Sequence, residues 1–228
     1  MNKTQTKKSP AVSAALPFQT LGEEIANSIL HGFGALLAAA GLVLLVLKAN
    51  GHLGNGAGGA LTLSAYIVFT AAMIGMFLSS TLYHAVQHVG AKRILRILDH
   101  SAIYIFIAGT YTPFCLLGLK GAWGWTIFGL EWALAITGVV LYAINCRVLK
   151  KVELVVYILM GWVIVIGWVP LIRAIPPISL VLLIAGGVAY SLGTLWYRRK
   201  NQRGAHVTWH VFVLAGAICH WWSIWLGL

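Results

Sequence analysis

Three pairs of polar residues recur at a spacing of four: Asn27 with His31, Ser80 with His84, and His206 with His210. On a helix such pairs share one face and lie about 6 Å apart along the axis. Two imidazoles so placed can grip one metal ion. A third from another helix would leave the fourth tetrahedral position for water, which is the arrangement of a catalytic zinc site. His206 and His210 supply the pair, and His84 is the natural third ligand. His88 follows one turn later, and spacing alone does not choose between the two. Asp99 follows His84 in the chain, and Glu23 and Glu24 stand just before Asn27. Each also has a plainer reading. A carboxylate at a helix start is favoured by the macrodipole, a serine between membrane helices is a packing residue, and Glu24 and Asn27 suit a first turn and its cap. Other polar residues stay apart from this set. His100 points about 100° away from Asp99 on a helix, and His220 lies ten residues past His210, roughly 15 Å deeper. His52 falls in a loop, and Glu131, about two turns into its own helix, has no assigned role.

The elements that must position these groups are set by composition. Of 228 residues, 60% are apolar and 9% charged, against about 25% charged in soluble domains. A soluble fold is excluded. Continuously apolar runs fall at about 27–47, 60–83, 99–119, 123–144, 152–171, 178–197 and 206–227, each near the roughly 20 residues that a spanning helix needs. Barrel strands alternate over about 10 residues instead. The expected fold is therefore all-α: a polytopic membrane protein with seven transmembrane helices over 23–228, preceded by a tail at 1–22. The turns carry breaker chemistry at Asn50-Gly51, at Gly54-Asn55-Gly56, from Gly118 to Gly121, and at Pro176-Pro177. Trp123, Trp125, Trp221, Trp222 and Trp225 suit interfacial belts.

The net charge of +11 would point to nucleic acid in a soluble protein; here it sorts by side. Lys3, Lys7, Lys8, Lys92, Arg93, Arg96, Arg147, Lys150, Lys151, Arg198, Arg199, Lys200 and Arg203 fall on one side of the spans. Only Lys48, Lys120 and Arg173 fall on the other. By the positive-inside rule the N-terminus is cytoplasmic and the C-terminus outside, and no nucleic-acid partner is expected. Cys115, Cys146 and Cys219 are widely spaced and form no CxxC motif or disulfide framework. No apolar run in the first twenty residues reads as a signal peptide. With the spans oriented, Asn27, His31, Ser80, His84, Asp99, His206 and His210 all come to the cytoplasmic ends of their helices. Ionisable groups in a membrane mark functional sites, and four helices deliver them to one depth.

The segments Glu24-xx-Asn27-xxx-His31, Ser80-xxx-His84 followed by Asp99, and His206-xxx-His210 resemble the three motifs of the hemolysin III family. That family is the bacterial branch of the progestin and adiponectin receptor group and is distantly similar to alkaline ceramidases. The flanking text EEIANSILHG at 23–32, STLYHA at 80–85, DHSAIYIFIAGTYTPF at 99–114 and WHVFVLAGAICH at 209–220 carries the resemblance along nearly the whole chain. Glu23 also fits the looser spacing of the first motif. The resemblance implies zinc near the cytoplasmic leaflet, held by His84, His206 and His210, with Asp99 beside it. It implies a multi-pass protein of the bacterial plasma membrane whose partner is membrane lipid or an acyl chain. The leading expectation is a zinc-dependent hydrolase of a lipid amide or ester, with Asp99 as base and Ser80 as donor. Glu24, Asn27 and His31 would then hold the helices and tune the ligands. A lipid sensor or membrane-homeostasis regulator with structural zinc is the alternative. A pore-forming cytolysin and a proton or ion transporter are the further ones.

Overall fold

The computed structural model of the chain describes residues 19–53, 58–199 and 202–228. Lys3, Lys7, Lys8 and Lys200, nearly all of the expected tail, and the Gly54-Asn55-Gly56 turn lie outside the described residues. Among those described there are helices and no strand: α1 (Leu21–Ala49), α2 (Ala60–Ala85), α3 (Val89–Pro113), α4 (Gly121–Ala143), α5 (Arg147–Trp162), α6 (Trp168–Ala174), α7 (Pro177–Tyr197) and α8 (Ala205–Gly227). α3 continues into a π-helical stretch, Phe114–Leu119, and a 3-10 segment, Val163–Gly167, joins α5 to α6. Taken as continuous rods, these make seven helices long and apolar enough to cross a membrane.

Three helix starts differ from the apolar runs; α1 begins at Leu21, six residues before 27, and the other two have a common cause. α3 begins at Val89, ten residues before the expected start at 99, and α5 begins at Arg147 where 152 was expected. Hydropathy falls there because Lys92, Arg93, Arg96, Lys150 and Lys151 enter the sequence. Lysine and arginine are good helix formers, so they end an apolar run without ending a helix. Asp99 consequently lies nearly three turns inside α3 and not at its start. His88 is the N-cap of that helix, its ring accepting from the Ala91 N–H at 3.2 Å.

Local chemistry fixes the other ends. Thr20 and Glu23 form a capping box on α1, and Pro177 occupies the first position of α7, where its missing N–H costs nothing. Gly204, with φ of 73°, makes the left-handed turn into α8.

The helices follow one another around a ring. Each packs on its neighbour, α7 on α8, α1 on α2, α2 on α3 and α3 on α4, and α1 closes the circle against α8. α5 is the exception, touching α3, α4 and α7 only lightly. Small residues permit the tight pairs. A Cβ at Gly34 would stand 2.8 Å from the ring of Phe77, and one at Gly138 only 2.5 Å from Tyr104. Phe69, Phe77, Phe106 and Phe114 fill the main core, while Tyr104, Ala135, Tyr142 and Met160 fill a second one under α4 and α5. Leu36, Ile136, Leu159 and Ile166 point outward and exposed, as lipid-facing residues should. Where α5 breaks, Tyr111 takes over the freed backbone groups. Its hydroxyl donates toward Met160 O at 2.8 Å and Gly161 O at 2.9 Å, and accepts from the Ile164 N–H at 2.9 Å.

Candidate metal centre

The N-terminal ends of α1 and α8, the C-terminal end of α2 and the first turns of α3 meet around three histidines. One nitrogen from each of His84, His206 and His210 lies within 4.8 Å of the others, with His84 and His210 buried and His206 half-buried. His84 is held from behind. Its Nδ1 lies 2.7 Å from Glu24 Oε2, and a carboxylate can only accept, so Nδ1 carries the proton and Nε2 presents its lone pair inward. That Nε2 is 3.1 Å from Nε2 of His210. Two nitrogens bound tetrahedrally to one ion at about 2.0–2.1 Å stand roughly 3.3 Å apart, so the pair is already close to ligand geometry. The carboxylate behind the imidazole is the usual support of a metal-bound histidine.

Orphaned atoms around the three histidines point the same way. His210 Nδ1, both ring nitrogens of His31, Ser80 Oγ and Asn27 Oδ1 are buried with no hydrogen-bond partner. Buried polar groups are nearly always paired, and here five atoms of four neighbouring residues are unpaired. His31 stands edge-on to His210, ring centroids 3.8 Å apart. The residues therefore fit a bound ion. Three imidazoles suit zinc and its first-row neighbours alike.

Glu24 and Glu23 divide the work that the sequence left open between them. Glu23 caps α1 and accepts the Gly204 N–H at 2.6 Å, joining α1 to the turn before α8. Glu24 points inward, with Oε2 on His84 and Oε1 2.7 Å from Lys92 Nζ. Neither Glu24 nor Asn27 caps the helix; Asn27 Nδ2 donates to Gln19 Oε1 at 2.9 Å. Lys92 reads in the sequence as an orienting charge, yet it is 6% exposed and its ammonium also lies 5.1 Å from the Tyr83 ring centroid. Its position seven residues before Asp99, two turns up one helix face, was the available signal.

Asp99 lies on the wall of a cavity of about 730 Å³ that also exposes His31, Ser80, His206 and His210. His84 stands behind them, fully buried. His100 departs from its expected isolation: its Nδ1 is 3.3 Å from Asp99 Oδ2, and it lines the same cavity. Adjacent side chains diverge by about 100° at their Cα atoms, but two flexible side chains can still turn toward one space. His88 is exposed and takes no part, and Glu131 is fully buried in α4 with both oxygens unpaired, away from this cavity. The cysteines are free.

The profile of the family described as "Haemolysin-III related" matches residues 19–221. "Hemolysin-3" of Bacillus cereus is 40% identical over 199 residues, covering 87% of this chain and 89% of that protein. "Hemolysin-3 homolog" of Bacillus subtilis is 40% identical over 198 residues, covering 87% and 91%. The human "Monocyte to macrophage differentiation factor" is 27% identical over 166 residues, covering 69% and 68%.

Proposed function

The chain belongs to the haemolysin III family, and from that premise we propose that it is a zinc-dependent hydrolase of a lipid amide or ester, working at the cytoplasmic leaflet of the bacterial plasma membrane. The observation that carries this reading is the cavity. Its wall sets Asp99, Ser80 and two of the clustered histidines beside apolar residues such as Met76, Ile103, Phe106 and Val213. A headgroup linkage and an acyl chain are thereby accommodated in one space.

His84, His206 and His210 would hold the zinc, which supplies Lewis acidity toward a carbonyl and toward water. Asp99 would accept the proton of the attacking water and return it to the departing amine or alkoxide. Ser80 Oγ, which has no partner of its own, would donate to the oxygen on which negative charge develops. Glu24 keeps His84 in the tautomer that faces inward, and Lys92 neutralises the carboxylate that does so. The chain would enter between α5 and α7, which pack lightly and both line the cavity, through Ile158 and Ser191 among others.

A second reading keeps the zinc and drops the chemistry. The backbones of α2 and α8 approach each other at hardly any position, so an ion held by His84, His206 and His210 would link helices that otherwise scarcely touch. That suits a lipid sensor. Asp99→Asn separates the two: the substitution keeps size and hydrogen bonding but removes the base, a loss of about 10²–10⁴-fold. We expect the variant to retain zinc while losing lipid turnover, measured by mass spectrometry of membranes with and without the protein. His210→Ala should lose the metal as well. Near-normal turnover by a zinc-replete Asp99→Asn protein would remove Asp99 as the base, and no turnover by the parent would replace the hydrolase with the sensor.

A further inference from the structure

The cavity has a second polar end. His220 stands ten residues beyond His210 on α8, roughly 15 Å further along the helix axis, and is 8% exposed. Its Nε2 lies 3.1 Å from the carbonyl oxygen of Leu183 on α7. A carbonyl only accepts, so Nε2 carries the ring's proton and Nδ1 is left as a bare acceptor. That acceptor is buried without a partner. The Nε2–Cδ2 edge of the ring lies against Gly186 of α7, so the Nδ1 edge turns away from that helix. Tyr190 meets the ring edge-on, centroids 5.3 Å apart, and its hydroxyl is likewise buried and unpaired.

His220 and Tyr190 line the same cavity as His206 and His210. The neighbouring hydroxyls of Thr110 and Tyr111 are already engaged with backbone groups. The unused capacity at this end is therefore one acceptor, His220 Nδ1, and one hydroxyl, Tyr190 Oη. A plain hydrocarbon chain would bury both without partners, at a cost that membrane interiors make severe.

We propose that His220 and Tyr190 form a second recognition site, which binds a hydroxyl carried in the middle of the ligand's acyl chain. The hydroxyl donates to His220 Nδ1 and accepts from Tyr190 Oη. Its distance from the polar end held at the histidine cluster is roughly 15 Å. The site rests on the lipid reading above and narrows its ligand class to mid-chain hydroxylated acyl compounds.

The test uses the zinc-loaded full chain in lipid nanodiscs and three probes: stearic acid, stearic acid hydroxylated in mid-chain, and stearic acid hydroxylated beside the carboxylate. Binding is read by calorimetry, independently of turnover. The mid-chain hydroxyl should tighten binding about 2- to 10-fold over the other two, the worth of one net hydrogen bond. Tyr190→Phe, which keeps the ring packing, and His220→Leu should each reduce that preference while plain stearic acid binds within about twofold of the parent. Equal affinities for the three probes, or a preference that survives both substitutions, would overturn the site and leave the hydrolase reading standing. Failure of all three to bind would overturn both.

Discussion

Glu24 has no spare oxygen, since one faces the His84 imidazole and the other the Lys92 ammonium. Its charge is therefore answerable to two partners at once, and removing it separates their effects. Glu24→Gln should weaken zinc binding about 10- to 100-fold, the usual cost of losing the carboxylate behind a metal-bound histidine, as measured by competition with a chromophoric chelator. It should also lower thermal stability, because Lys92 would be left as a buried unpaired charge. Adding Lys92→Met should restore stability without restoring affinity. Unchanged affinity in Glu24→Gln would mean that the Glu24–His84 pair serves packing alone. At this scale the sequence was readable where spacing is enforced by one helix. The pairs His206/His210 and Asn27/His31 and the inward face of Ser80/His84 follow from four-residue spacing on helices that exist as expected. The choice between Glu23 and Glu24 was not readable, because both fit a first turn and only the distance to His84 on another helix distinguishes them. Lys92 was hidden by its own usefulness as an orientation signal.

Helix contacts set the positions of those residues to within an atom's width. Gly34 lies one turn beyond His31 on α1's inner face, and Phe77, which a Cβ there would strike, also meets the His31 ring at 5.1 Å. Gly34→Val should destabilise the protein by about 1–3 kcal/mol through overpacking and lower zinc affinity with it, both read from thermal melts with and without chelator. Gly129→Ala, whose Cβ would meet nothing within 4 Å, should be neutral or slightly stabilising. Similar melts for the two variants would show that α1 and α2 can separate freely at this point. Elements were legible as apolar runs of spanning length, and all seven are present. Their ends were less so. The early start of α3 at Val89 escaped the apolar-run reading, since the end of an apolar run and the end of a helix coincide at the breakers Gly51 and Pro176 but not at Arg93, which is charged and helix-forming. The break after Trp162 is announced by Gly161, Gly167 and Pro170, whose ring excludes a helical bond to the Ile166 carbonyl, and the freed groups are taken up by Tyr111 from another helix.

For the molecule as a whole, we propose from the charge asymmetry an orientation that the helices alone do not give, with the N-terminus cytoplasmic. A reporter fused after Leu228 should be active only outside the cytoplasm, and one inserted at the Asn145-Cys146 turn only inside it. The reverse result at either position would move the histidine cluster to the outer leaflet and remove the cytoplasmic-leaflet assignment. The ring that these helices form is closed at both ends by its first and last members. Glu23 accepts the Gly204 N–H at 2.6 Å, and Lys48 Nζ donates to Trp225 O at 2.6 Å. A ribosome delivers those members at opposite times. His84 and Glu24 leave it 122 residues or more ahead of His206, a wait of roughly 6–24 s at about 5–20 residues per second. Until then the nascent chain holds a partial donor set and an open seam between α1 and the lipid, so a chain cut short before α8 has neither closure nor His206 and His210. Closure of the ring and competence to hold an ion thus arrive together, with the emergence of α8.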